Sequence, residues 1–150
     1  MPIIKDGKII DGDDWRILED SEPIPAGHPV IVSYERWSTA NGDLSSHNAP
    51  LGLSLRADQP PGLIADNVGR FDLIALEFPA LADGRTFSHA RLLRRRLRFS
   101  GELRATGHVF QDQMFFMKRC GFDSFDLPGD RDPDGALAAL DDFSVAYQTG

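Results

Sequence analysis

From Leu51 onward short apolar runs alternate with stretches of helical period, a pattern that commits a chain to parallel strand–helix units, because each strand needs a helix to cover it. The run Leu51 to Leu55 precedes a helix begun near Pro60-Pro61, where a first-turn proline loses no hydrogen bond. Phe71 to Phe78 precedes a helix from about Thr86 to Arg98. Glu102 to Ala105 precedes one from about Val109 to Cys120, closed by Gly121 as a left-handed cap. Ser124 to Leu127 precedes a last helix from Pro133 to about Tyr147. The expectation is an α/β fold of about four consecutive βα units on a mainly parallel sheet. Right-handed crossovers allow either a small open sheet or a half-barrel-like one.

The first fifty residues read differently. Two apolar pairs, Ile3-Ile4 and Ile9-Ile10, flank Asp6-Gly7, a sequence suited to the positive φ angles of a tight hairpin turn. Trp15 to Leu18 suggests a further strand, and a connector carrying Pro23, Pro25 and Pro29 leads to the apolar run Val30-Ile31-Val32. Ser33 is placed to cap a short helix bearing Tyr34 and Trp37, and a loop from Thr39 to Pro50 follows. At 150 residues the chain has the size of one ordinary domain. It is read as a single α/β domain, with an N-terminal hairpin and connector region over 1–50 and the βα core over 51–150.

The formal net charge of −7 argues against nucleic acid and anionic membrane surfaces as partners. Positive charge is nevertheless concentrated between Arg85 and Arg104. The single cysteine, Cys120, leaves no internal disulfide and fits a reducing compartment. No apolar run approaches membrane-spanning length, and no basic stretch followed by an apolar core opens the chain, so the expected location is the cytoplasm.

In folds of this kind the loops after the strands' carboxyl ends gather ligands. That placement brings Glu77 and the loop Pro79 to Arg85 beside Arg104, Thr106, Gly107 and His108, with Asp126 and Asp130 further along. Asp83, Gly84, Arg85, Arg104 and Gly107 are therefore candidates for binding a small anion at two helix amino termini. Alternatively, Asp83 caps its helix and the arginines pair with Glu77, Glu102 or Asp112. Glu77 and His108 are the candidates for moving a proton. No metal site is expected, since neither His89 nor His108 sits in a ligand spacing, and no flavin, haem, iron–sulfur or nucleotide motif calls for a cofactor. On the second helix Phe87, Ala90, Leu93 and Leu97 form the inward stripe, leaving Arg91, Arg94, Arg95 and Arg98 on a basic face suited to an acidic partner. On the third, Val109, Gln113, Phe116 and Cys120 with Phe110, Met114 and Met117 form the core rows. Phe115 then falls on the outer side, either as a partner or dimer contact or buried under a neighbouring segment such as the carboxyl-terminal helix.

The segments Leu73-Ile-Ala-Leu-Glu-Phe-Pro, Asp83-Gly-Arg-Thr-Phe-Ser-His-Ala-Arg-Leu-Leu-Arg, Gly101-Glu-Leu-Arg-Ala, Asp112-Gln113 and Arg119-Cys-Gly-Phe-Asp resemble, in order and spacing, the bacterial domain-of-unknown-function family 934. The resemblance implies an oxidoreductase label tied to sulfite reduction, through genes lying beside those of assimilatory sulfate and sulfite reduction. It implies no catalytic residues. The family's usual Gly-Asp-Val-Leu reads here Gly107-His108-Val109-Phe110, placing an imidazole where a carboxylate is usual. The expected function is an accessory protein of that pathway, binding sulfite reductase components, another acidic protein or a small anion. The alternatives are an enzyme acting on a small anion at the strand carboxyl ends, or a structural or dimerising module.

Overall fold

In the computed structural model the described residues are 3–11, 13–39, 47–79, 84–128, 133–138 and 140. Strands β1 (Ile3–Lys5) and β2 (Lys8–Ile10) form the hairpin, with Asp6 at φ 54° and Gly7 at φ 73° in its turn, as the Asp-Gly signal requires. Next come β3 (Arg16–Ile17), β4 (Val30–Ser33) and helix α1 (Tyr34–Thr39). Ser33 Oγ accepts the Arg36 amide at 3.1 Å, the expected cap. Strand β5 (Leu51–Leu55), a 3-10 segment (Pro61–Arg70), β6 (Leu73–Phe78), α2 (Arg85–Arg95) and β7 (Glu102–Gly107) follow. A 3-10 turn (Gln111–Gln113), α3 (Met114–Cys120) and β8 (Ser124–Asp126) come next, and residues 133–138 are helical.

The eight strands form one sheet in the order β2-β1-β8-β7-β6-β5-β4-β3. It is mixed, which corrects the expectation of a mainly parallel sheet. From β3 to β8 neighbours are parallel, but the hairpin folds back so that β1 pairs antiparallel with both β2 and β8. The hairpin takes the free edge of β8, where no crossover dictates direction.

Topology makes the sheet curl. Strands β2 and β3 lie at opposite edges yet are joined by residues 11–15 alone. Seven flat interstrand spacings would separate those edges by about 34 Å. Six extended Cα steps reach at most about 22 Å. The edges therefore approach each other, and the sheet is an open half-barrel whose concave face is bridged by this connection.

Alternation along the strands assigns two faces. Val30, Val32, Leu51, Leu53, Leu55, Ile74, Leu76, Phe78, Leu103 and Ala105 point to the helix-covered face and share one core with Trp37, Ile64, Ala90, Leu93, Met114 and Met117. The concave face carries a small apolar cluster, Ile31, Leu73 and Ala75, covered by Trp15. Gly52 makes room there, since a Cβ at 52 would stand 2.9 Å from Ile31 and 3.2 Å from the Trp15 ring. Strand β6 is buried on both faces, which is why it reads as an almost unbroken apolar run.

Two Phe-Asp pairs close the strand entrances alike. Phe71 and Phe122 enter the core, while the Asp72 and Asp123 amides donate to Leu51 O and Leu103 O at 2.8 Å each. Their carboxylates accept the Leu51 and Leu103 amides at 3.1 and 2.9 Å in return.

Several helices differ from expectation. The segment after β5 is a 3-10 helix broken at Ile64 (φ −119°, ψ 17°), and α2 stops at Arg95, with Arg98 at φ 58° beyond it. Helix α3 begins at Met114 rather than Val109. Most of the expected last helix, like parts of the loop before Leu51, lies outside the described residues.

Candidate functional site

The carboxyl ends of β6 and β7 bring Glu77, Gly107 and His108 together. Glu77 pairs in register with Thr106 and Phe78 with Gly107, and the His108 amide donates to Phe78 O at 2.9 Å. Gly107 is required by this closeness: at φ 77°, a Cβ would stand 2.6 Å from Phe78 O and 2.9 Å from Glu77 Cγ. Glu77 and His108 are both exposed. Gly84, at φ 83°, precedes α2 without a side-chain cap, and Thr86 Oγ1 donates to Glu77 O at 3.2 Å, tying the helix start to the strand end. Arg85 is exposed in the first turn of α2 and engaged in an interaction of its own. Asp83 and Asp130 lie outside the described residues. Gly107 does not open a helix, because helical structure resumes only at Gln111, so the expected second helix amino terminus is not at this rim.

Arg104 is not available to an anion in this structure. Its side chain points from β7 into the concave face and is 3% exposed. The guanidinium donates to Asp13, to Glu102 Oε2 at 2.7 Å and to Ser124 Oγ at 3.0 Å. Ser124 donates to Glu102 Oε2 at 2.8 Å, and Lys5 Nζ donates to Glu102 Oε1 at 2.6 Å. The alternative anticipated from sequence, pairing of Arg104 with Glu102, is therefore the one realised. A guanidinium this deep needs carboxylates to offset its lost hydration; Glu102, two residues back on the same face of β7, and Asp13 from the connection after β2 supply them.

Burial alone would raise the Glu102 carboxyl, but hydrogen bonds from Lys5 and Ser124 and the Arg104 charge outweigh it and hold the group below the ordinary value. Asp126, on the same face of β8, moves the other way. Burial pushes its carboxyl up against the opposing Arg104 charge, and its Oδ1 is buried without a hydrogen-bond partner. Asp126 is the residue that sequence reasoning placed only loosely, in the same rim as Asp130; alternation along β8 would have set it beside Arg104. Among the described residues no group of three His, Cys, Asp or Glu is arranged to hold a metal ion.

The outer surface of α2 divides its arginines. Arg94 is half-buried and binds its own fold. It donates to Phe99 O (2.9 Å), Gly101 O (2.8 Å), Gly121 O (3.1 Å) and Asp123 Oδ2 (2.5 Å), and lies over the Phe99 ring. This corrects its assignment to the partner face. Arg91, Arg95, Arg96 and Arg98 are exposed and make no ion pair with the described residues.

The exposed aromatic of α3 is Phe116, at 44%, and not Phe115, which is half-buried and already engaged. Met114, Met117 and Cys120 fill the buried row, so Phe116 falls on the flank toward α2. There it packs on Phe87 (ring centroids 4.9 Å apart) and under Arg91 (5.2 Å from guanidinium to centroid).

These features define a curled α/β half-barrel with a satisfied ion network inside it and a basic, aromatic-bearing surface outside. Residues 52–150 match the family described as bacterial protein of unknown function (DUF934), and the chain belongs to that family. No curated protein gives a significant match.

Proposed function

We propose that this chain is an accessory protein of assimilatory sulfate and sulfite reduction, acting by docking to an acidic partner, with components of sulfite reductase as the first candidates. The pathway is what the family resemblance implies. The mode of action rests on one observation: exposed Arg91 and Arg95, one helical turn apart, make no ion pair among the described residues, on a chain whose net charge is −7. Such a patch on an acidic molecule orients encounter with a negatively charged surface. The test is a pull-down from native cytoplasm with wild type and with Arg91→Glu/Arg95→Glu. Arg94 is left intact, because it holds the fold. Recovery of sulfite reductase components by wild type and their loss in the variant is the expected outcome; equal recovery by both contradicts the reading.

A second reading, chemistry on a small anion, is favoured by Asp126. A half-buried carboxyl with a raised pKa and one buried oxygen without a hydrogen bond is suited to exchanging a proton. Under that reading Asp126 replaces Glu77 and His108 as the leading acid–base candidate, since both of those are exposed.

A further inference from the structure

The docking surface has a feature that charge alone does not require. Phe116 is the outer end of an aromatic row running into the core, with centroid separations of 4.9 Å to Phe87, 5.1 Å from Phe87 to Phe78 and 5.5 Å from Phe78 to Phe122. Phe78 and Phe122 are buried, at 3% and 2% exposure, so the exposed ring is backed by fixed neighbours. Arg91 lies over that ring at 5.2 Å, and a guanidinium stacked on an aromatic face keeps its N–H donors free at the edge. An aromatic ring left 44% exposed yet held on several sides has little conformational entropy to lose on binding, a property of residues that dominate interfaces.

We propose that Phe116 is the apolar anchor of this surface. The partner it fits is a protein segment that places carboxylates on Arg91 and Arg95 and lays an apolar side chain against the Phe116 ring. The inference rests on the docking reading above and adds a requirement to it. Arg91 and Arg95 are one turn apart on α2, about 6 Å, so a helical acidic segment with carboxylates at the same interval matches them. The ring beside Arg91 then gives such a segment a reason to carry an apolar residue next to its acids. An acidic surface without one would gain only the screened ion pairs, which are weak at physiological salt.

The experiment is fluorescence anisotropy with a labelled helical peptide carrying two glutamates one turn apart and an adjacent leucine, and with its leucine-to-serine counterpart. Wild type should bind the leucine peptide roughly tenfold more tightly than Phe116→Ala does, with the serine peptide showing no such difference. Because Phe116 lies on the surface, circular dichroism should show the variant folded. If Phe116→Ala binds the leucine peptide like wild type while Arg91→Glu/Arg95→Glu does not, the anchor is wrong and charge-directed docking stands. If the charge reversal also binds like wild type, or the leucine peptide fails to bind wild type, the proposed partner class is wrong. Sedimentation of the protein alone supplies the remaining arm: self-association lost in Phe116→Ala would make a second copy the occupant and overturn the proposal.

Discussion

Arg104 shows how one side chain can look like a ligand group in sequence and serve the fold in structure. Its position in β7 is legible from the pattern Glu102 to Ala105, but besides Glu102 of its own strand its partners come from β8 and the connection after β2. No local pattern reports a contact between residues 13 and 104. Removing one member of a buried ion network leaves the others uncompensated, so Arg104→Met is expected to destabilise the protein by about 3–5 kcal/mol. Chemical denaturation measures this; a change within experimental error would contradict the network's role.

Asp126 and Glu102 give opposite contributions to stability against pH. Glu102, with its folded pKa depressed, stabilises the protein above its unfolded value, and that contribution is lost as pH falls through the folded value. Asp126, with its folded pKa raised, favours the fold most when protonated in both states, and this contribution is lost as pH rises through the folded value. Asp126→Asn should therefore raise the melting temperature near neutral pH. The gain should shrink as pH falls through the interval between the raised folded value and the ordinary aspartate value. A gain that does not vary with pH would mean that the carboxyl's charge is not what burial penalises.

At the scale of elements, most strands were legible. Leu51 to Leu55 matches β5 at both ends, and the Asp-Gly turn and the Ser33 cap form as their chemistry demands. Helix lengths were less so. An apolar period through Val109 and Phe110 suggests an early helix, yet Gly107 at positive φ and the 3-10 turn at Gln111–Gln113 delay it to Met114. The twin Phe-Asp closures at 71–72 and 122–123 were written in the sequence and are recognisable once their shared hydrogen bonding is known.

Helical spacing alone puts Arg94 on the solvent face. Its length lets it turn back to the carbonyls of Phe99, Gly101 and Gly121, beyond its own helix. Gly121 accommodates that path, since a Cβ there would stand 2.6 Å from Arg94 Cγ. Arg94→Ala should cost about 3 kcal/mol by leaving half-buried carbonyls and Asp123 without their donor. An exposed neighbour such as Arg96 should be replaceable by Ala at less than about 0.5 kcal/mol. Thermal unfolding of the two variants separates them, and equal effects would contradict the clamp.

Across the whole molecule, the curl and the charge distribution set what the protein can do. Sequence patterns left an open sheet and a half-barrel both available, because the deciding constraint is the placement of β2 and β3 at opposite edges with only residues 11–15 between them. That connection places Asp13 and Trp15 over the concave face, where they occupy Arg104 and the small apolar cluster. Among the described residues, the exposed arginines of the helical side are positive charge that the interior network does not use.

The central claim is that Arg91 and Arg95 dock an acidic protein of sulfite reduction. Its most direct test is the affinity of purified sulfite reductase components for the wild-type chain and for Arg91→Glu/Arg95→Glu, each at low and moderate salt. The account predicts binding by wild type that weakens as salt rises, and its loss in the variant without a change in melting temperature. Binding that ignores both salt and charge reversal, or no binding by wild type at low salt, would contradict it.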